Sequence, residues 1–228
     1  MTTLIKICGL RTSETVDAAI DAGADYLGFV FFPPSPRHVE LEQARALGLR
    51  VAGRAKKVAL TVDANDATFS AIVEALDPDM LQLHGKEPPE RLAGLRARFG
   101  LPLMKALPVE TASDLAAAKA YSGVADWLLF DARAPKGATR PGGLGRPFDW
   151  TLLKALDPGR PFMLSGGLEP GNVGQALEIT SAPAVDVSSG VESVAGVKDP
   201  SRIRGFVRAV READAVRAAT KVASGTGF

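Results

Sequence analysis

LIKICGLRTSETVDAAIDAGADYLGFVF, residues 4–31, holds one full turn of the pattern that decides the fold. A short aliphatic run from Leu4 to Cys8 is followed by an amphipathic stretch beginning near Thr12, and then by a second apolar run from Tyr26 to Phe31. Strand, helix and strand in that order place the two strands parallel and side by side. The alternation continues along the chain. Further strands are expected at Lys57 to Val62, Met80 to His84, Pro102 to Leu107, Trp127 to Asp131, Phe162 to Ser165 and Ala184 to Ser188. Helical patterns begin near Leu41, Ala67, Pro89, Thr111, Asp149, Gly171 and Ser201, and Thr111 with Asp114 forms a variant capping box. Eight such units in 228 residues predict an α/β protein of the closed (β/α)8 TIM-barrel type. One domain over residues 1–223 is expected, with 224–228, SGTGF, as a frayed tail. The open doubly wound sheet is the alternative. Its GxGxxG fingerprint follows none of the strands, since the glycine clusters are GGLG at Gly142 to Gly145 and Ser165-Gly166-Gly167, so no nicotinamide cofactor is expected.

Composition narrows the function further. The chain is 46% hydrophobic, enough for one large core, and its 27 Lys and Arg nearly balance its 26 Asp and Glu. There is no basic field for nucleic acid or an anionic membrane, so an anionic ligand has to be held by a local site. No run approaches the ~18 apolar residues of a membrane span, and the N-terminus is too broken for a signal peptide. A lone cysteine, Cys8, predicts a reducing, cytoplasmic setting. No metal is expected, because the two histidines, His38 and His84, have no metal-ligand spacing.

In a barrel, the C-terminal ends of the strands share the rim where chemistry takes place. Those ends read Cys8, Phe31 with FPPSPRHV, Asp63, His84, Leu107, Asp131, Ser165-Gly166-Gly167 and Ser188-Ser189-Gly190. Alternation sends Ile5 and Ile7 toward the helices, and Lys6 and Cys8 into the barrel. A neighbouring ammonium favours the thiolate, so Lys6 is expected to lower the Cys8 pKa and equip it as a base; the alternative is a small buried hydrophobe. Asp131 points inward with Trp127 and Leu129. Desolvation there is expected to raise its pKa, as a general acid requires, although an aspartate entering a loop also serves as a helix cap.

Pro33, Pro34 and Pro36 restrict the loop around Arg37, whose fork suits a planar carboxylate. The glycine loops after strands seven and eight, with Gly166, Gly167, Ser188, Ser189 and Gly190, stand where barrels recurrently hold phosphate, and glycine lets backbone N–H groups approach an anion. Gly143 and Gly145 of the GGLG cluster are further substrate-binding candidates. His84 is either a substrate contact or a strand-end histidine. Lys6 is a second candidate contact, and Lys6 or Lys105 could form a Schiff base, with nothing in the surroundings of either to single it out.

KICGL (Lys6 to Leu10), GFVFFPPSPRHV (Gly28 to Val39), LQLHG (Leu81 to Gly85), LLFDA (Leu128 to Ala132), GGLGRPFDW (Gly142 to Trp150), LSGGLEPGNV (Leu164 to Val173) and VDVSSGVE (Val185 to Glu192) together resemble the phosphoribosylanthranilate isomerase family, in the family's own order. The resemblance implies an Amadori rearrangement in tryptophan biosynthesis, with Cys8 as general base, Asp131 as general acid, Arg37 on the anthranilate carboxylate and the glycine loops on the phosphate. It implies a small phosphorylated substrate, no cofactor, and a monomer or homodimer. Leu144, Arg146 and His38 depart from residues frequent in the family, which bears on the sixth loop. Two other readings stay open. Another phosphosugar aldose–ketose isomerase barrel would, by its own family pattern, carry an aspartate in place of Cys8. A non-catalytic phosphate-ligand binder would need neither Cys8 nor Asp131.

Overall fold

The computed structural model describes residues 2–225 except 136, 144, 146 and 155, with backbone alone for 221–225. Eight strands, β1 (Leu4–Cys8), β2 (Tyr26–Phe31), β3 (Lys56–Thr61), β4 (Met80–Leu83), β5 (Leu103–Val109), β6 (Trp127–Ala132), β7 (Phe162–Leu164) and β8 (Ala184–Val187), close into a barrel in sequence order. All neighbours are parallel. Closure runs through Leu4 to Ile7 of β1 against Ala184 to Val187 of β8. Around the barrel lie α1 (Ser13–Ala22), α2 (Leu41–Val51), α3 (Asp66–Leu76), α4 (Pro89–Phe99), the one-turn α5 (Ala118–Tyr121), α6 (Val173–Thr180) and α7 (Pro200–Gly225). A small hairpin, β9 (Glu192–Val194) with β10 (Val197–Lys198), stands between β8 and α7. α7 carries helix through Ser224 and Gly225, into the stretch expected to be a tail. Among the described residues no helix is long and apolar enough to cross a membrane.

Local chemistry accounts for most helix ends. Thr12 caps α1 by accepting from the Thr15 N–H, and Gly23 ends it at φ 93°, a left-handed conformation that glycine adopts without a Cβ penalty. Asn65 caps α3 in the same way as Thr12, and Pro89 opens α4 at a position where a missing N–H costs nothing. The Thr111–Asp114 capping box forms. It starts a 3-10 turn, Ala112–Ala117, before the single turn of α5. The helix expected near Asp149 is also only a 3-10 turn, Trp150–Leu153, although Asp149 does cap it through the Thr151 N–H at 3.0 Å. Pro158 and Pro161 follow closely, and proline disfavours helix at and before its own position.

The strand alternation divides the interior. Ile5, Ile7, Leu81, Leu83, Leu128 and Phe130 face outward and join the helices in the main core. Inside the barrel, Val58, Met80, Met104, Ala106, Leu129, Met163 and Ala184 fill its floor. Farther along the strands the filling turns polar, with Lys6, Gln82 and Asp186 all buried. The rim lies directly above them.

Candidate active site

A cavity opens at the C-terminal rim, and Cys8, Arg37, His84 and Asp131 all line it, together with Gly143, Gly145, Gly166, Gly167, Ser188 and Ser189. Residues from distant parts of the chain therefore converge as the strand-end reading anticipates. Leu144 and Arg146, two of the departures from the family pattern, lie outside the described residues. Lys6 and Lys105 do not reach the cavity. Lys105 faces the helix layer and pairs with buried Glu87 at 2.7 Å. Both lysines are held in buried ion pairs, Lys6 with Asp186 and Lys105 with Glu87, and nothing in this placement supports a Schiff base at either.

Cys8 sits at the end of β1, only 3% exposed. Gly28 on β2 makes room for it: a Cβ there would lie 2.8 Å from Cys8 Sγ and 3.1 Å from Lys6 Nζ. Lys6 does stand beside the thiol, but its charge is already engaged. Its Nζ donates to Asp186 Oδ1 at 2.8 Å, and Ser165 Oγ donates to Asp186 Oδ2 at 3.2 Å. The expected lowering of the Cys8 pKa is overturned. Burial pushes the thiol up, Lys6 pulls it down only partly, and Asp186 pushes it up again. For Lys6 itself, burial opposes the charge, yet Asp186 and Cys8 more than offset this and hold the ammonium above its ordinary range.

Asp131, at the end of β6, is 6% exposed. Its Oδ1 accepts from the Ala132 N–H at 2.9 Å, and its Oδ2 lies 3.3 Å from His84 Nε2. Gly142 covers this pair so closely that a side chain there would run into Oδ2. Its neighbour Gly143 covers Arg37, to which its carbonyl is bound at 3.2 Å. Loop six is thus seated on the acid and the arginine through two adjacent glycines.

Arg37 is itself clamped. Nε and Nη2 donate to the two oxygens of Glu192 at 2.7 and 2.8 Å, which leaves Nη1 without a partner among the described residues. Lys198 Nζ donates to Glu192 Oε1 at 2.7 Å and to the Ser188 carbonyl at 2.9 Å. Burial works against the Glu192 charge, but Arg37 and Lys198 prevail and take its pKa down to about 2. Burial lowers Lys198 to about 8 despite Glu192. Sequence reasoning assigned nothing to Glu192, Lys198 or Asp186. Glu192 and Asp186 stand within the VDVSSGVE motif, which was a usable signal, whereas Lys198 reaches the site only because the β9–β10 hairpin folds back on it.

The glycine loops after β7 and β8 lie together. The N–H groups of Gly166 and Gly167 have no acceptor among the described residues. Gly190 does not line the cavity; a Cβ on it would overlap the Leu168 carbonyl oxygen, so this glycine lets the two loops pack against each other.

The sequence model of N-(5′-phosphoribosyl)anthranilate isomerase matches residues 5–209. The chain belongs to that family. A phosphoribosylanthranilate isomerase from Bradyrhizobium diazoefficiens is 63% identical over 211 residues, covering 92% of this chain and 95% of the relative. The crystal structure of phosphoribosylanthranilate isomerase from Thermotoga maritima superimposes with a TM-score of 0.84 at 32% identity, covering 92% of this chain and all of the other. A phosphoribosylanthranilate isomerase solved in complex with reduced 1-(o-carboxyphenylamino)-1-deoxyribulose 5-phosphate gives 0.81 at 31% identity, over 92% of this chain and 100% of that one. The activity is therefore the phosphoribosylanthranilate isomerase step of tryptophan biosynthesis.

Proposed function

We propose that Cys8 and Asp131 are the base and the acid of this isomerisation, that Arg37 holds the anthranilate carboxylate, and that Gly166, Gly167, Ser188 and Ser189 hold the phosphate, with Gly190 packing the two loops together. The carrying observation is that a thiol, a carboxyl and an arginine with a spare N–H edge line one cavity beside two loops of glycine and serine. The analogue bound by the relative has a carboxylate and a phosphate at opposite ends, and the cavity lining offers both an arginine and a set of glycine N–H groups for two anions.

Asp131 gives its proton to the furanose ring oxygen as the C1′–O bond breaks, and the nitrogen lone pair forms the iminium. The Cys8 thiolate removes the C2′ proton, and that electron pair neutralises the iminium to an enolamine. Tautomerisation moves the enol proton to C1′ and yields the ketose. The iminium acidifies C2′, so a thiolate present in minor amount suffices. Lys6 and Lys198 favour that thiolate. A single thiol with this duty fits a reducing cytoplasm.

Cys8→Ala and Asp131→Asn are each expected to lower kcat by roughly 10² to 10⁴, the range for losing a positioned acid or base, with KM little changed. Loss of anthranilate fluorescence measures turnover. Near-normal kcat in either variant overturns that residue's role.

A further inference from the structure

Gln82 is a fully buried polar side chain on the inner face of β4, and its Oε1 has no hydrogen-bond partner among the described residues. Its ladder neighbours are Leu60 on β3 and Met104 on β5, neither of which can donate to the carbonyl from its side chain. The amide Nε2 lies 3.2 Å from His84 Nδ1. An amide nitrogen only donates, so His84 Nδ1 is an acceptor and carries no proton. The imidazole proton is then on Nε2, which faces Asp131 Oδ2 at 3.3 Å. Turning the amide over would set Oε1 against Nδ1 and leave both Nε2 hydrogens without an acceptor, whereas the present orientation leaves one of them and the carbonyl unpartnered among the described residues. Orphaned buried N–H groups are the rarer arrangement in proteins, which favours the present orientation.

From this geometry we infer that Gln82 is a positioning residue for catalysis, fixing His84 as the Nε2–H tautomer so that the imidazole donates to Asp131 as that carboxyl gives up its proton. The inference rests on Asp131 being the acid. Before transfer, Asp131 is a carboxylic acid and the imidazole contact is a neutral one. Once the proton has left Oδ2 for the ring oxygen, the carboxylate accepts from His84 Nε2–H and from the Ala132 N–H. The hydrogen bond strengthens as charge develops, so it lowers the barrier rather than binding the substrate. The opposite tautomer would present a lone pair to the new carboxylate. Gly142 has no side chain to come between the two groups.

The Gln82→Met variant separates this role from a structural one. Gln82→Met removes a carbonyl that has no partner among the described residues, a gain, together with the donor to His84 Nδ1, a loss, and the two oppose each other in stability. The melting midpoint should therefore stay close to that of wild type while kcat falls by roughly 10- to 100-fold, below the loss from deleting an oxyanion donor outright, and KM stays within about twofold. With only two histidines in the chain, long-range 1H–15N spectra of ring-labelled protein read the tautomer directly. The wild type should show His84 as Nε2–H, and Gln82→Met should show the Nδ1–H form gaining population. His84→Gln, whose amide nitrogen reaches the Nε2 position, should keep more kcat than His84→Asn, which reaches only Nδ1. An Nδ1–H pattern in the wild type, an unchanged kcat in Gln82→Met, or better rescue by asparagine each overturns the proposal. If Asp131→Asn retains full turnover, the acid assignment fails and the catalytic role of Gln82 goes with it; an Nε2–H spectrum alongside that result identifies the acid as the failed step.

Discussion

Replacing Glu192 with glutamine tests how the cavity holds its arginine. Four donors converge on this carboxylate: Arg37 Nε at 2.7 Å and Nη2 at 2.8 Å, Lys198 Nζ at 2.7 Å and the Gly196 N–H at 3.1 Å. Folding lowers its pKa from 4.5 to about 2. At ~1.36 kcal/mol per pH unit, that is roughly 3 kcal/mol of stability. Because the folded value lies below the unfolded one, the contribution is complete above about pH 5 and is lost as pH falls toward the folded pKa. Glu192→Gln leaves Arg37 and Lys198 as two buried cations beside an amide. Lys198, already lowered to about 8 by burial, then gives up its proton near neutrality, which keeps the penalty toward the low end of the ~3–5 kcal/mol seen on breaking buried pairs. Urea denaturation should place the variant about 3 kcal/mol below wild type at neutral pH, narrowing to roughly 2 kcal/mol near pH 3.5. The freed Arg37 should raise KM by about tenfold, with kcat within about threefold. A gap under about 1 kcal/mol at both pH values, or an unchanged KM, would show that Glu192 does not hold Arg37 in place.

Other outcomes follow from the same cavity. Cys8 is the only cysteine, so the pH dependence of alkylation by iodoacetamide reports it alone; the midpoint should lie above that of a free thiol, move further up in Lys6→Met and move down in Asp186→Asn. A midpoint at or below that of free cysteine contradicts the burial argument. Gly190→Ala should displace the Leu168 carbonyl and raise KM by about tenfold or more, whereas Gly171→Ala, where the nearest atom is a Glu169 side-chain oxygen at 3.7 Å, should leave it unchanged. Equal effects at the two positions would sink the loop-packing explanation. Lys198 loses its charge as pH rises through about 8, so KM should climb above that pH in the wild type and stay flat there in Lys198→Met. A parallel climb in both proteins would remove Lys198 from the account.

The barrel was legible because period-2 strands and caps such as Thr12 and Asn65 are local signals. Even the inward direction of Lys6, Cys8 and Asp131 followed from the pleat. What the pleat could not reveal was partnership. The pleat sets the Lys6 ammonium beside a thiol, but gives no sign of Asp186, 180 residues away in sequence, which pairs with it. The prolines around Arg37 point to a prearranged arginine, but not to Glu192, which takes one face of its fork. Both carboxylates arrive from β8 or just after it, and strand alternation says nothing about which long side chains meet across the barrel. The Asp149 helix failed for a different reason: its cap was correct, and the prolines that cut it short lie beyond the window in which caps are read.

The burial of Cys8 has a consequence for oxidation. Peroxide attacks thiolates, so a sulfur that is 3% exposed and held above its ordinary pKa reaches sulfenic acid slowly in the empty enzyme. That restraint matters more here than in a cysteine-rich protein. With no second cysteine in the chain, an oxidised Cys8 has no internal thiol with which to form a reducible disulfide, and further oxidation leads to irreversible sulfinic acid. The Asp186 carboxylate that tempers the base therefore also preserves it between turnovers.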